Sequence, residues 1–175
     1  MNLSELLFNQ LWSMSTDGMR ITDEKGIIID VNDAFCRIVE MDTNQLKSKP
    51  FINIYHQDEQ EQVLKLYKRN LEENKVKTHF EIERILWNGK KIWFDFTNSL
   101  IETLTHKKMI LSIVKDITHR KKAKIDLQKS ENRYRMLFNY ADDAVFVNHL
   151  TENRHFSNFI EVNDVASRQL GYSRD

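Results

Sequence analysis

Cysteine, proline and glycine are scarce in this 175-residue chain, and each scarcity excludes something. A single cysteine, Cys36, rules out an internal disulfide and any zinc site built from several thiolates, and it suits a reducing compartment. No apolar run approaches the ~20 residues that a membrane-spanning helix requires. The start, Met1-Asn2-Leu3-Ser4-Glu5, lacks the basic and apolar regions of a secretory signal, so a cytoplasmic location without membrane insertion is expected. Net charge is missing as well: 26 Lys and Arg balance 26 Asp and Glu, which leaves no overall field for nucleic acid or anionic lipid. The one basic cluster, Arg120-Lys121-Lys122 with Lys124, has no interleaved aromatics and is followed by acidic residues. It reads as a solvated helix face. What is present, 41% hydrophobic and 30% charged residues, is a globular mixture, long enough for one domain and a remainder.

Asn2 and Glu5 have capping-box spacing, and Leu3, Leu7, Leu11 and Met14 follow as a helical stripe. Met19–Thr22 and Ile27–Val31 flank the polar turn Asp23–Gly26 and predict a hairpin. Asn32 or Asp33 then caps a short helix over Ala34–Val39. Thr43–Gln57, with the only proline, Pro50, reads as short helical turns, and Glu59–Asn74 as a longer helix with Val63, Leu66, Tyr67 and Leu71 on one face. From Lys77 the period changes to two: Phe80, Ile82 and Leu86, the turn Asn88-Gly89, then Ile92, Phe94, Phe96 and Leu100, and finally Met109, Leu111 and Ile113. Strands segregated in this way predict an α+β domain, an antiparallel sheet with helices over one face. Beyond Thr118 a charged helix follows, with Ala123, Leu127, Ser130, Tyr134 and Leu137 at heptad spacing.

The chain also repeats itself. Leu7-Phe8-Asn9 returns as Leu137-Phe138-Asn139, and Val31-Asn32-Asp33 as Val162-Asn163-Asp164; Asp17–Ile21 corresponds to Asp143–Val147, and Thr151–His155 lengthen the second hairpin turn. Gly18–Asp23 with Gly26, Val31–Phe35, Ile54–Asp58, Trp87–Trp93 and the closing Val114–Lys121, with its Asp116-Ile117-Thr118, together resemble the PAS superfamily of sensory domains, and the second copy adds Leu170–Ser173. The resemblance implies a five-stranded antiparallel sheet able to enclose a small ligand, and a bacterial or archaeal sensory role. The expected layout is an N-terminal helix (1–16), a PAS domain with its PAC-type C-terminal part (17–118), an amphipathic linker helix (119–139) and a truncated second unit (140–175) that is poorly packed, rearranged or docked against a neighbour.

The resemblance also supplies the expected sites. Phe80, Ile82, Arg84, Phe94, Phe96, Asn98, Leu111 and Ile113 are the candidates for the inner, ligand-facing side of the sheet. Asp116 and Thr118 are expected to fix the strand-to-helix junction that relays a signal, and Ala123, Leu127, Tyr134 and Leu137 to form the seam of a homodimer. The expected function is a non-catalytic sensing or interaction module acting on a downstream effector, foremost a two-component histidine kinase. The alternatives are a ligand-free spacer or dimerisation domain, or the sensory part of a cyclic-dinucleotide enzyme or a transcription regulator. No cofactor is identified. The long helix carries no histidine of the kind that ligates heme, His56 reads as a turn residue pairing with Asp58, and His79 as solvated. Cys36 precedes the region where flavin photosensors hold their reactive cysteine and reads as a packed thiol, which argues against covalent flavin. No metal site is expected.

Overall fold

The computed structural model describes residues 2–73, 75–103, 107–150 and 156–171. Contacts divide the chain into two units, Met1–Lys121 and Lys122–Asp175. In the first, helix α1 (Leu3–Met14) opens with the predicted capping box. Glu5 N–H donates to Asn2 Oδ1 (2.9 Å) and Asn2 N–H donates to Glu5 Oε2 (3.0 Å). The stripe of Leu3, Leu7, Leu11 and Met14 is exposed, and α1 buries Trp12 instead.

Strands β1 (Gly18–Asp23) and β2 (Ile28–Val31) form the predicted hairpin. Three short helical pieces follow: α2 (Asp33–Val39), α3 (Thr43–Leu46) and a 3₁₀ turn over Phe51–Ile54. Helix α4 (Gln57–Glu72) begins two residues before its expected start; Asn74, the expected last residue, lies outside the described residues. Strands β3 (His79–Ile85), β4 (Lys91–Glu102) and β5 (Lys108–Asp116) complete an antiparallel sheet of order β2-β1-β5-β4-β3. The first strand therefore pairs with the last, a placement that no local pattern encodes. Ile28, Phe35, Val39, Leu46, Ile54, Leu86, Ile92, Phe94 and Val114 are all buried between the sheet's inner face and the helices. Burying one such side chain contributes roughly 1.5–3 kcal/mol.

Asn32 joins three of these pieces. Its Oδ1 accepts from Met19 N–H (2.8 Å) and Phe35 N–H (2.9 Å), so it both starts β1 and caps α2. Its Nδ2 donates to the carbonyls of Trp12 (3.1 Å) and Asp17 (2.9 Å), which ties down the end of α1. At the far end of α2, Glu40 takes a left-handed conformation (φ 57°), where a side chain is normally disfavoured. Its carboxylate meets Asn88 and Lys90 of the Asn88-Gly89 turn, and the Trp87 indole donates to Val39 O (3.0 Å). The β3–β4 hairpin is thus clamped to the end of α2.

Helix α5 (Thr118–Asn139) leads into the second unit, which contains β6 (Phe146–Leu150), β7 (Phe156–Val162) and α6 (Asp164–Leu170). The sequence repeat is a repeat of hydrogen bonds. Asn163 Oδ1 accepts from Val145 N–H (3.0 Å) and Ala166 N–H (2.9 Å), and its Nδ2 donates to Asp143 O (2.9 Å). Gly171 stands where the first unit has Glu40 and shares its left-handed backbone. β6 and β7 form a two-stranded sheet among the described residues, with Phe146, Phe159 and Ile160 exposed. The expected long turn at Thr151–His155, and Tyr172-Ser173, lie outside the described residues.

Asn32→Ala is expected to lower the unfolding free energy of the first unit by about 2–4 kcal/mol, because it removes the partner of four backbone groups in buried or partly buried bonds. The exposed cap change Asn2→Ala is expected to cost about 1 kcal/mol or less. Urea unfolding followed by tryptophan fluorescence checks both, and equal losses would remove Asn32 from this role.

Candidate functional site

A cavity of about 160 Å³ lies between the inner face of the sheet and α4. Helix α4 presents Val63, Leu66, Tyr67 and Asn70 to it, and the sheet presents Phe80, Ile82 and Arg84 from β3, Phe96 and Asn98 from β4, Ile110 and Ser112 from β5, and Arg20 from β1. Phe51 and Tyr55, with Val76 and Lys77 leading into β3, complete the wall. The volume is close to that of a cavity known to hold a benzene molecule, about 150 Å³.

Five of the eight expected pocket residues, Phe80, Ile82, Arg84, Phe96 and Asn98, do line this space. Phe94 does not: it is fully buried in the core, its ring 5.2 Å from that of Phe96. Leu111 and Ile113 are on the opposite face of the sheet. The register sets Val114 opposite Phe96 and Ser112 opposite Asn98, so the inward residues of β5 are Ile110, Ser112 and Val114. Both alternating sets of β5 are largely apolar, and the inward one contains the polar Ser112; periodicity therefore selected the wrong face.

The same inversion hid Arg20. In β1 the apolar Met19 and Ile21 face away from the core, while Gly18, Arg20 and Thr22 are buried. Arg20 is only 4% exposed. Its guanidinium lies over the rings of Phe51 (4.6 Å) and Phe35 (5.6 Å), and Nη2 donates to Ser112 Oγ at 3.3 Å. Nε and Nη1 are buried with no hydrogen-bond partner. The Tyr55 and Tyr67 phenols lie near enough to favour the cation, but burial dominates and lowers the pKa of Arg20. Burial likewise raises both phenols above their usual value, so both remain neutral. Tyr67 O–H donates to Asp23 O (2.6 Å) and lies 3.0 Å from Thr22 Oγ1. A sequence signal for Arg20 did exist: an arginine within a short strand on the alternation shared by Gly18 and Thr22.

Arg84 is half-buried with Nε 3.8 Å from Glu59 Oε2, and Asn98 Nδ2 donates to Lys77 O (3.0 Å). His56 Nδ1 lies 3.2 Å from Asp58 Oδ2, the local pairing expected of it, and the exposed His79 lies 3.2 Å from Asp95. Cys36 is half-buried against the core, 3.4 Å from Thr43 Oγ1. Among the described residues no group of His, Cys, Asp and Glu side chains is placed to hold a metal ion, and no helix is long and apolar enough to cross a membrane.

The strand-to-helix junction is held by both expected residues. Thr118 N–H donates to Asp116 Oδ1 (2.8 Å), and Thr118 Oγ1 accepts from Trp93 N–H (2.9 Å). Ile117 N–H donates to Trp93 O (2.9 Å), the Glu81 carboxylate pairs with Arg120 and Lys121, and Lys121 Nζ sits 4.7 Å from the Trp93 ring centre. Hydrogen bonding from Lys121 lowers the pKa of Glu81, the charges of Lys121 and Arg120 add to this, and desolvation opposes it. All four residues of the expected seam on α5, Ala123, Leu127, Tyr134 and Leu137, are exposed, and Tyr134 also stacks on Phe138 and donates to Glu161 (2.9 Å).

Comparison with known proteins agrees with this architecture. Residues 5–117 match the family model of the PAS fold, and residues 132–175 match a PAS domain model. The chain is 27% identical over 146 residues to sporulation kinase E of Bacillus subtilis (strain 168), an alignment covering 83% of this chain and 19% of that protein. Among solved structures, the PAS domain of a protein from Colwellia psychrerythraea superposes with a TM-score of 0.56 at 20% identity, over 66% of this chain and 98% of that one. The PAS domain of an HTR-like protein from Haloarcula marismortui gives 0.52 at 17% identity, over 65% and 92%. These two likenesses establish the fold. With its five-stranded sheet, its inner cavity and a family match over residues 5–117, the chain belongs to the PAS family.

Proposed function

We propose that the first unit is a signal-sensing module. A small molecule in the cavity biases the sheet, and α5 carries that bias to an effector. The observation that carries this reading is that β3 and β4 serve two purposes at once. Their inner faces line the cavity through Phe80, Ile82, Arg84, Phe96 and Asn98, while Glu81 and Trp93 on the other alternation hold the first turn of α5. A shift of these strands as a ligand enters therefore reaches Thr118–Lys121 without crossing any loop.

A two-component histidine kinase in the cytoplasm is the effector we favour, on the strength of the resemblance to sporulation kinase E. The chain spans only 19% of that relative, so the kinase role rests on this resemblance. The apolar positions Leu127 and Leu137, 61% and 67% exposed, support pairing of two copies along α5 with Ala123 and Tyr134.

Hydrogen–deuterium exchange with and without a cavity-binding molecule tests the relay. Protection is expected in β3 and β4 and also across Thr118–Lys121, and Thr118→Val is expected to abolish the second effect while sparing the first. Protection of β3 and β4 that never reaches α5 overturns the relay, and no protection in either place favours a ligand-free spacer. The junction should also respond to acid. Because the folded Glu81 has a lowered pKa, its contribution is complete above the ordinary carboxylate value and is lost as pH falls through the lowered one. The Trp93 indole resonance is expected to shift in that acidic window in the native protein but not in Glu81→Gln. For the pairing, sedimentation of the full gene product is expected to show a dimer that Leu127→Lys weakens, and monomer alone at high concentration would overturn it.

A further inference from the structure

We infer that the cavity is a receptor for a small monocarboxylate with an apolar body, whose carboxylate is held by Arg20. This rests on the reading of the cavity as a ligand site and names the chemistry of its occupant. The first support is the state of Arg20. Arginine remains a cation in proteins, and a buried cation is costly unless it is paired and fully hydrogen-bonded. Here the guanidinium is 4% exposed, bonds Ser112 Oγ and lies beside the neutral Tyr55 phenol, and leaves Nε and Nη1 without partners. The rings of Phe35 and Phe51 offset part of the cost through their negative faces, but neither supplies an oxygen or nitrogen acceptor. Among the described residues no carboxylate forms an ion pair with Arg20.

The second support is the charge of the lining as a whole. It contains three cationic side chains, Arg20, Lys77 and Arg84, and no aspartate or glutamate. Glu59 lies 3.8 Å from Arg84 and balances that one, which leaves the Arg20 end of the cavity as the uncompensated part. The third is the strand register. Arg20 is directly opposite Ser112, and Ser112 directly opposite Asn98, so a row of hydrogen-bonding groups crosses three strands along the cavity floor. The remaining walls are aromatic and aliphatic, and the volume of about 160 Å³ admits a body near the size of a benzene ring. An inorganic anion would satisfy the guanidinium and leave the apolar walls without contacts, whereas a neutral hydrocarbon would fill the walls and leave two buried nitrogens, Nε and Nη1, without acceptors. A carboxylate with an apolar body satisfies both, and carboxylate–guanidinium bonds are among the stronger hydrogen bonds available to proteins.

Benzoate and its neutral analogue benzamide test this by calorimetric titration and thermal unfolding of the chain. Benzoate is expected to raise the melting temperature of the native protein and to bind roughly 10–100-fold more tightly than benzamide, the range that charge-assisted hydrogen bonds provide. Arg20→Met is expected to abolish this preference. Ser112→Asp, which places a carboxylate opposite Arg20, is expected to melt at a higher temperature than the native protein and to be indifferent to benzoate. Equal binding of the two probes, or a benzoate preference that survives Arg20→Met, overturns the inference. If Arg20→Met fails to fold, Ser112→Asp decides alone, and a benzoate response retained there is fatal to the inference. Toluene separates this from the reading beneath it. If toluene enters and benzoate does not, the carboxylate assignment falls and the ligand cavity stands; if neither enters, both fall.

Discussion

A single side-chain amide, that of Asn32, satisfies backbone groups from α1, from the segment entering β1 and from the first turn of α2. Each bond contributes only about 1 kcal/mol net, but those to Trp12 and Phe35 are buried and those to Met19 and Asp17 partly so, and where water is excluded an unmade bond costs more than a made one gains. The geometry matters as much as the energy. An amide with its acceptor and donor turned to opposite sides fixes how far apart three chain segments can be. Asn163 repeats three of the four bonds in the second unit, so the arrangement accompanies the turn of chain it organises.

From that anchor the rest of the first unit follows in steps. Fixing β1 beside α2 leaves the other edge of β1 to pair with β5, which brings Ser112 opposite Arg20. β4 then pairs with β5 and places Asn98 in the same row. The hairpin turn at Asn88-Gly89 is clamped to the end of α2 through Glu40 and Trp87, which holds β3 and β4 as the far wall. The core near Phe94 is close-packed and the space beneath α4 is not. The inner face thus holds a packed core around Phe94 and, beneath α4, a cavity with a buried cation in its wall. A guanidinium buried with two of its nitrogens unpartnered costs stability, a cost of the kind found where function rather than stability selects the residue.

Much of this was legible from residue types. Asn88-Gly89 announced the β3–β4 hairpin, Asn2 and Glu5 the start of α1, and Asp116 and Thr118 the end of the sheet, because turns and caps depend on a few side chains acting on their own backbone. The alternation of Phe80, Ile82 and Arg84 also identified the inner face of β3. β1 and β5 misled for one reason: in both, the polar residues point inward and the more uniformly apolar set points outward. Binary patterning assumes the reverse, so Leu111 and Ile113 were assigned to the cavity and Arg20 was overlooked. The stripe on α1 misled similarly, since helical spacing shows that Leu3, Leu7 and Leu11 share a face but not whether anything covers it.

The sequence by itself determined the element order, the repeat, the hairpins and the caps, all of which are set by interactions over a few residues. Only the tertiary structure decided which alternation of β1 and β5 faces the core, because register between strands some 90 residues apart is set by packing and pairing, not by local preference. That register sets a buried arginine, a serine and an asparagine in one row under α4. The chemistry of the cavity therefore belongs to the fold rather than to any motif.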